Sequence, residues 1–214
     1  MDANLLKFGL TAFVTLLVIV DPLGLLPVFM GLTSAMSLSE RRAVMRRAIV
    51  TALGIALFFL LAGDAALRYM GVSIEAFTIS GGILLFVTAM PMLFGHRGGL
   101  QSPEQDEQSA PGQDIAIFPL AIPLLAGPGV MTSLLLLMAQ THSRPGPVGA
   151  LLLATLLVFL LTWLILLLGE RVMARIGEAG IHVATRILGI ALAALAVQFV
   201  LNGLTGYFHA LVGH

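Results

Sequence analysis

Apolar positions along the chain fall into six long runs, near residues 5–32, 47–65, 75–95, 115–140, 146–169 and 184–207. A helix crossing the hydrocarbon needs about 20 mostly apolar residues, so each run can span a bilayer. The first and fourth are longer than a straight crossing requires, and each is interrupted. The first holds Asp21-Pro22-Leu23-Gly24-Leu25-Leu26-Pro27, and the fourth holds Pro123-Leu124-Leu125-Ala126-Gly127-Pro128-Gly129. A proline lacks the helical N–H and clashes with the preceding turn, so both segments predict breaks. Lipid cannot satisfy the freed backbone groups. Such breaks are tolerated where they line a cavity, and paired breaks in corresponding positions of two halves point to a transporter's binding site.

Between the third and fourth runs, Gly98 to Asp114 is rich in Ser, Pro, Gln, Glu and Asp and cannot bury a core, which predicts a mobile loop. It separates a three-span repeat over 1–97 from a second over 115–214, with 98–114 as a polar cytoplasmic connection. The halves match in order. Pro22 and Pro27 align with Pro123 and Pro128 at an offset of 101; Gly63-Asp64 and Gly71 align with Gly169-Glu170 and Gly177 at 106; Thr78 and Gly82 align with Thr185 and Gly189 at 107. Three spans is an odd number, so the second half enters the membrane from the opposite face. The expected fold is an all-α polytopic membrane protein: six transmembrane helices as two inverted three-helix repeats, with spans one and four broken at Pro/Gly motifs.

Composition narrows the chemistry. The 214 residues are 58% hydrophobic and 10% charged, against roughly 25% charged in soluble domains, and mean hydropathy is +1.02. A net charge of zero gives no electrostatic footprint for nucleic acid. The absence of cysteine excludes disulfides and thiol chemistry. His96, His142, His182, His209 and His214 lie in loops or near span ends without ligand spacing, so neither metal nor cofactor is expected. Met1 to Val20 has the lysine and apolar run of a signal peptide, but Asp21-Pro22 follows where a small-x-small cleavage site would stand. The connections after spans one, three and five carry Arg41, Arg42, Arg46, Arg47, Arg97, Arg171, Arg175 and Arg186, whereas the other face has Lys7, Arg68 and Arg144. The positive-inside rule places the first group in the cytoplasm and both termini outside.

Asp21 is the one acid deep in a span, where a charge costs about 2.5–3.5 kcal/mol on insertion scales. It reads either as a partner for a substrate ammonium and a proton-coupling group, or as a cap on the half-helix that begins at Pro22; a capped carboxylate can serve both ends. Pro22, Gly24 and Pro27 complete this break. In the second, Pro123, Gly127, Pro128 and Gly129, followed by Thr132 and Ser133, form a candidate carboxylate cradle, with Ile122 at the position aligned with Asp21. Gln198 and Asn202 share a face of the sixth span and read equally as substrate contacts or an interhelical clasp. Ser80, Thr78 and Thr88 on the third span carry the same two readings. Gly189 with Ala193, and Gly81 with Gly82, look like small-residue packing faces.

Asp21-Pro-Leu-Gly-Leu-Leu-Pro-Val-Phe29, Ile122-Pro-Leu-Leu-Ala-Gly-Pro-Gly129, Ser80-Gly-Gly-Ile-Leu-Leu-Phe86, and Thr185-Arg-Ile-Leu-Gly189 through Gln198 and Asn202-Gly203 resemble the MarC family of prokaryotic inner-membrane proteins. The resemblance implies a six-span inner-membrane transporter, with members associated with small neutral amino acids such as glycine and alanine. The chain departs from the family pattern at Thr78, where a basic residue often precedes the third-span glycines, so a charge partner present elsewhere is missing. The leading expectation is a secondary transporter of small neutral amino acids working by alternating access, with proton coupling through Asp21 as one form of it. Transport of another small metabolite is the alternative. An intramembrane enzyme is disfavoured because no paired-acid or nucleophile-base constellation is present, and no Walker lysine supports ATP-driven transport. The expected partners are the amino acid and the lipid bilayer, without nucleic acid; a homo-oligomer is compatible with the sequence.

Reporter fusions test the arginine and lysine asymmetry. A fusion at residue 105 should report cytoplasmic and one at the C-terminus external; both on one side would contradict the odd-span halves.

Overall fold

Five helical runs are long and apolar enough to cross a membrane: Asn4–Leu32, Leu38–Tyr69, Ile74–Phe94, Pro145–Leu167 and Ala179–His209. A pair bent by 48°, Ala116–Leu125 with Pro128–Gln140, is long and apolar enough only when taken together, as a broken span or a re-entrant loop. The computed structural model describes residues 3–94 and 115–212, and the loop expected over 98–114 lies outside them. Every regular element among the described residues is helical: α1 (Ala3–Val20), α2 (Pro22–Leu32), α3 (Leu38–Tyr69), α4 (Ile74–Phe94), a π-helical segment (Ala116–Leu125), α5 (Pro128–Gln140), α6 (Pro145–Leu167) and α7 (Gly169–Val212). The chain is thus an all-α polytopic membrane protein.

Helix ends follow local chemistry rather than hydropathy, and two differ from the spans predicted above. The second span was expected over 47–65, yet α3 begins at Leu38 because Ser37 and Glu40 form a reciprocal capping box. That box satisfies two first-turn donors and carries the helix through the polar Ser39–Arg42 stretch. The sixth span, expected over 184–207, lies within a 44-residue helix bent at Gly177, where φ is 70°. Gly71, between α3 and α4, has the same φ of 70°. Only glycine enters that region without steric cost. Pro27, expected to share in the first break, sits inside α2; the interruption of the first span is confined to Asp21.

Packing relies on close backbone approach, because lipid tails remove the usual hydrophobic drive between helices. The tightest seam joins α4 to α7. A Cβ at Gly82 would stand 2.7 Å from the Ala196 carbonyl oxygen, one at Gly189 2.9 Å from the Met92 Cβ, and one at Gly203 2.6 Å from Ile79. Elsewhere the pairings come in matched sets. α1 packs on α6 as the π-segment packs on α3; α2 meets α6 and α7 as α5 meets α3 and α4; α3 also meets α6. The buried centre is aliphatic, with Leu16, Leu26, Phe29, Leu60, Leu120, Leu134, Leu151 and Val158 all 2% exposed or less. Phe58, Leu61, Ile83, Ile187 and Ile190 point outward, an apolar surface suited to lipid.

Candidate functional site

The first break is a single residue wide. Asp21 adopts a left-handed conformation, φ 44° and ψ 65°, which costs on the order of 1–3 kcal/mol for a residue with a side chain, although Asp and Asn tolerate it best. Its backbone nevertheless stays in the ladder: its N–H donates to the Leu17 carbonyl at 3.0 Å, and its carbonyl accepts from the Leu25 N–H at 2.9 Å. Oδ1 accepts from the Gly24 N–H at 3.0 Å, the geometry of a helix N-cap, worth about 1 kcal/mol. A Cβ at position 24 would collide with the Asp21 carboxylate, so this cap requires Gly24. The carboxylate is 8% exposed and has no ion-pair partner among the described residues.

The second break is wider and uncapped. Phe118 and Ile122 are extended, φ/ψ −127°/124° and −128°/125°, as expected for residues directly before Pro119 and Pro123, whose rings exclude the helical region. The Ala126 N–H reaches back five residues to the Ala121 carbonyl at 2.9 Å. Gly127 is the N-cap of α5, extended at φ −75° and ψ 175°, with no side chain to close the helix end. A Cβ there would strike the Pro123 carbonyl oxygen. Pro128 has no N–H, and Met131 donates to the Gly127 carbonyl at 3.1 Å. The orphan donors at this helix start are therefore Gly129 and Val130, which have no acceptor among the described residues.

These helix starts revise the repeat register. α2 begins at Pro22 and α5 at Pro128, 106 positions apart, the offset that also relates Gly63 to Gly169 and Gly71 to Gly177. At that offset Gly127, rather than Ile122, stands opposite Asp21 in the sequence. One half-helix carries its own anion, and the other presents bare donors.

The start of α5 lies beside the first break. A Cβ on Gly129 would stand 3.1 Å from Ile19, two residues before Asp21, and 2.6 Å from Leu85 of α4. One turn further along α5, the Thr132 hydroxyl is fully buried without a hydrogen-bond partner. It lies against Gly81, where any Cβ would collide with it. The neighbouring hydroxyls are engaged: Ser133 donates to the Gly129 carbonyl at 2.7 Å and Thr78 to the Ile74 carbonyl at 2.6 Å.

Of the predicted site residues, the fold thus gathers Asp21, Pro22 and Gly24 at one break, and Pro123, Gly127, Pro128, Gly129, Thr132 and Ser133 at the other. Pro27 lies along α2. Ser80 is exposed on α4. Gln198 and Asn202 are exposed on α7 and bond each other at 2.8 Å rather than clasping another helix. Ile19, Gly81 and Leu85 were not anticipated as site residues. Gly81 and Leu85 share a helical face by their spacing of four, a signal hidden while Gly81 and Gly82 were read as one packing face. Two cavities, about 380 Å³ lined by Arg46, Arg47, Val50, Thr51 and Ile117 and about 260 Å³ lined by Arg42, Arg46 and Trp163 among others, flank the start of α3 and do not include the breaks. The space around Gly129 and Thr132 is packed shut.

Five apolar spans and a bent helix pair, with two proline-glycine breaks held against each other, define a polytopic membrane protein with discontinuous helices. The model of the MarC family integral membrane proteins matches residues 6–208, and the chain belongs to this family. It is 39% identical over 201 residues to a UPF0056 membrane protein of Methanocaldococcus jannaschii, covering 94% of this chain and 98% of the relative. It is 36% identical to one from Pyrococcus abyssi, covering 96% and 98%. The UPF0056 inner membrane protein YhgN of Escherichia coli is 37% identical over 199 residues, covering 91% of this chain and 95% of its own. No solved structure matches the chain.

A buried hydroxyl without a partner costs about 1–3 kcal/mol. Thr132→Val, which keeps the branched shape, should hold or raise the thermal midpoint of the purified protein in detergent. A clear fall would reveal a hydrogen bond that the packing against Gly81 does not provide.

Proposed function

We propose that the chain is a secondary transporter of small neutral amino acids, glycine and alanine being the right size, and that it binds them between the two breaks by alternating access in a prokaryotic inner membrane. The observation carrying this reading is the buried, unpartnered Thr132 hydroxyl beside the free N–H groups of Gly129 and Val130. These three donors suit a carboxylate, and the helix dipole adds to their pull. Across the contact with Ile19, Asp21 is a buried acid with no cation beside it, the complement of an ammonium group. Both ends of a small zwitterion are thereby matched. The tight walls at Gly81, Gly127 and Gly129 exclude large side chains.

Alternating access is supported by the two halves. The helix starts at Pro22 and Pro128 and the positive-φ glycines 71 and 177 keep one offset, and the main helix pairings, α1 on α6 with the π-segment on α3 and α2 on α6 and α7 with α5 on α3 and α4, map onto one another when the halves are exchanged. Two repeats, 1–97 and 115–214, related by an axis in the membrane plane would rock about a fixed midplane site. The name of YhgN as an inner membrane protein agrees with the membrane inferred, and arginine placement puts both termini outside.

Flux in liposomes tests the reading. Purified protein should move labelled glycine, Thr132→Val should cut that flux about tenfold by removing one charge-assisted hydrogen bond, and Gly127→Leu should abolish it in folded, monodisperse protein. Asparagine caps a helix as well as aspartate, so Asp21→Asn should keep its stability but lose the response of glycine flux to an imposed pH gradient. Wild-type flux with a wild-type gradient response would reduce Asp21 to a cap. Movement of some other metabolite with no neutral amino acid moved would reassign the substrate.

A further inference from the structure

We propose that Arg41 and Glu170 form the latch that closes one end of the substrate pathway, an assignment that rests on the alternating-access reading. Arg41 lies in the first turns of α3, and its guanidinium gathers three elements. Nη1 meets Glu170 Oε1 at 2.9 Å and Met30 Sδ at 3.8 Å, and Nη2 donates to the Thr33 carbonyl at 3.3 Å. The end of half-helix α2, the start of α3 and the start of α7 are thus held together, and the first half is tied to the second. Unlike the Arg68–Asp64 pair within α3, this pair crosses between the halves. Arg41 is 17% exposed at its side chain and Glu170 67%, so solvent screens the pair and its strength is that of a surface ion pair.

The opposite end also carries an acid and a base. Asp64 stands at the repeat position of Glu170, and Arg144 is the N-cap of α6, near but not at the position that matches Arg41, the fourth residue of α3. There the cross-half pair is not made. Asp64 pairs instead with Arg68 of its own helix at 3.0 Å, and Arg144 is exposed with no side-chain bond among the described residues. One end is latched and the other released, the asymmetry that a two-state rocking mechanism requires of any single state. In the opposite state Arg41 lets go of Glu170, and Arg144 takes Asp64.

The seams beneath the two ends provide matched reporters. Leu26 is fully buried against Gly169 below the latch, and Leu135, 4% exposed, packs against Gly63 below the other end. The chain has no cysteine, so Leu26→Cys and Leu135→Cys are single thiols whose maleimide labelling in detergent reads each seam separately. Adding Glu170→Gln should raise the labelling rate of Leu26→Cys about threefold or more, the range open to a partly exposed ion pair, without raising that of Leu135→Cys. Glu170→Asp should stay near the parent, and Arg144→Gln should not exceed it. An unchanged Leu26→Cys rate with Glu170→Gln overturns the latch, as does a parallel rise at both reporters, which would mean general loosening. A responsive Leu26 reporter in a protein that moves no glycine keeps the latch and sinks the substrate assignment; a silent reporter in a protein that moves glycine does the reverse.

Discussion

Backbone polar groups within the hydrocarbon have no water to turn to, and each left bare costs several kcal/mol. The two broken spans meet this constraint in opposite ways. At Asp21 the chain closes its own half-helix, with a side-chain oxygen on the Gly24 N–H and the backbone ladder continued on either side. At Gly127 there is no side chain to do this, and the donors of Gly129 and Val130 stay open within a packed interior. That cost is retained at one position, next to an unpartnered Thr132 hydroxyl, and on the proposed function a ligand oxygen offsets it. The functional reading depends on this inequality between otherwise matched halves.

Close packing keeps the inequality in place. With little hydrophobic drive between helices in lipid, association depends on small residues that let backbones approach. The glycines of the α4–α7 seam bring backbone within van der Waals distance of backbone. Gly63 against Leu135 and Gly169 against Leu26 repeat one contact on the two sides. At the breaks, side chains at 81, 127 or 129 would collide with Thr132, the Pro123 carbonyl or Leu85. The same residue type thus acts as packing surface in one place and as the wall of a site in another, and only three-dimensional placement separates the two uses.

Much of the architecture was legible in the chain, and the failures have physical causes. Hydropathy located the five spans and the bent pair because bilayer thickness imposes a similar length on every crossing helix. It missed the early start of α3 because a capping box at Ser37 and Glu40 acts outside the apolar run, and it could not see that the sixth span belongs to a longer helix bent at Gly177. Prolines announced both breaks. The skeletons Pro22/Pro27 and Pro123/Pro128 stand 101 positions apart, whereas the helix starts at Pro22 and Pro128 stand 106 apart. Asp21 was readable as cap and buried charge together. The role of Gly81 was not, because the side of α4 that meets α5 is settled by packing. Gln198 and Asn202 were ambiguous for a related reason: residues four apart on a helix can bond each other, and here they do.

The central claim concerns a ligand position, so a structure of the protein with glycine is the most direct test. The account predicts glycine between the breaks, its carboxylate within hydrogen-bonding distance of the Gly129 and Val130 N–H groups and Thr132 Oγ1, and its ammonium on the Asp21 side. Glycine bound in the basic clefts flanking the start of α3, with the Thr132 hydroxyl still unpartnered, would contradict it.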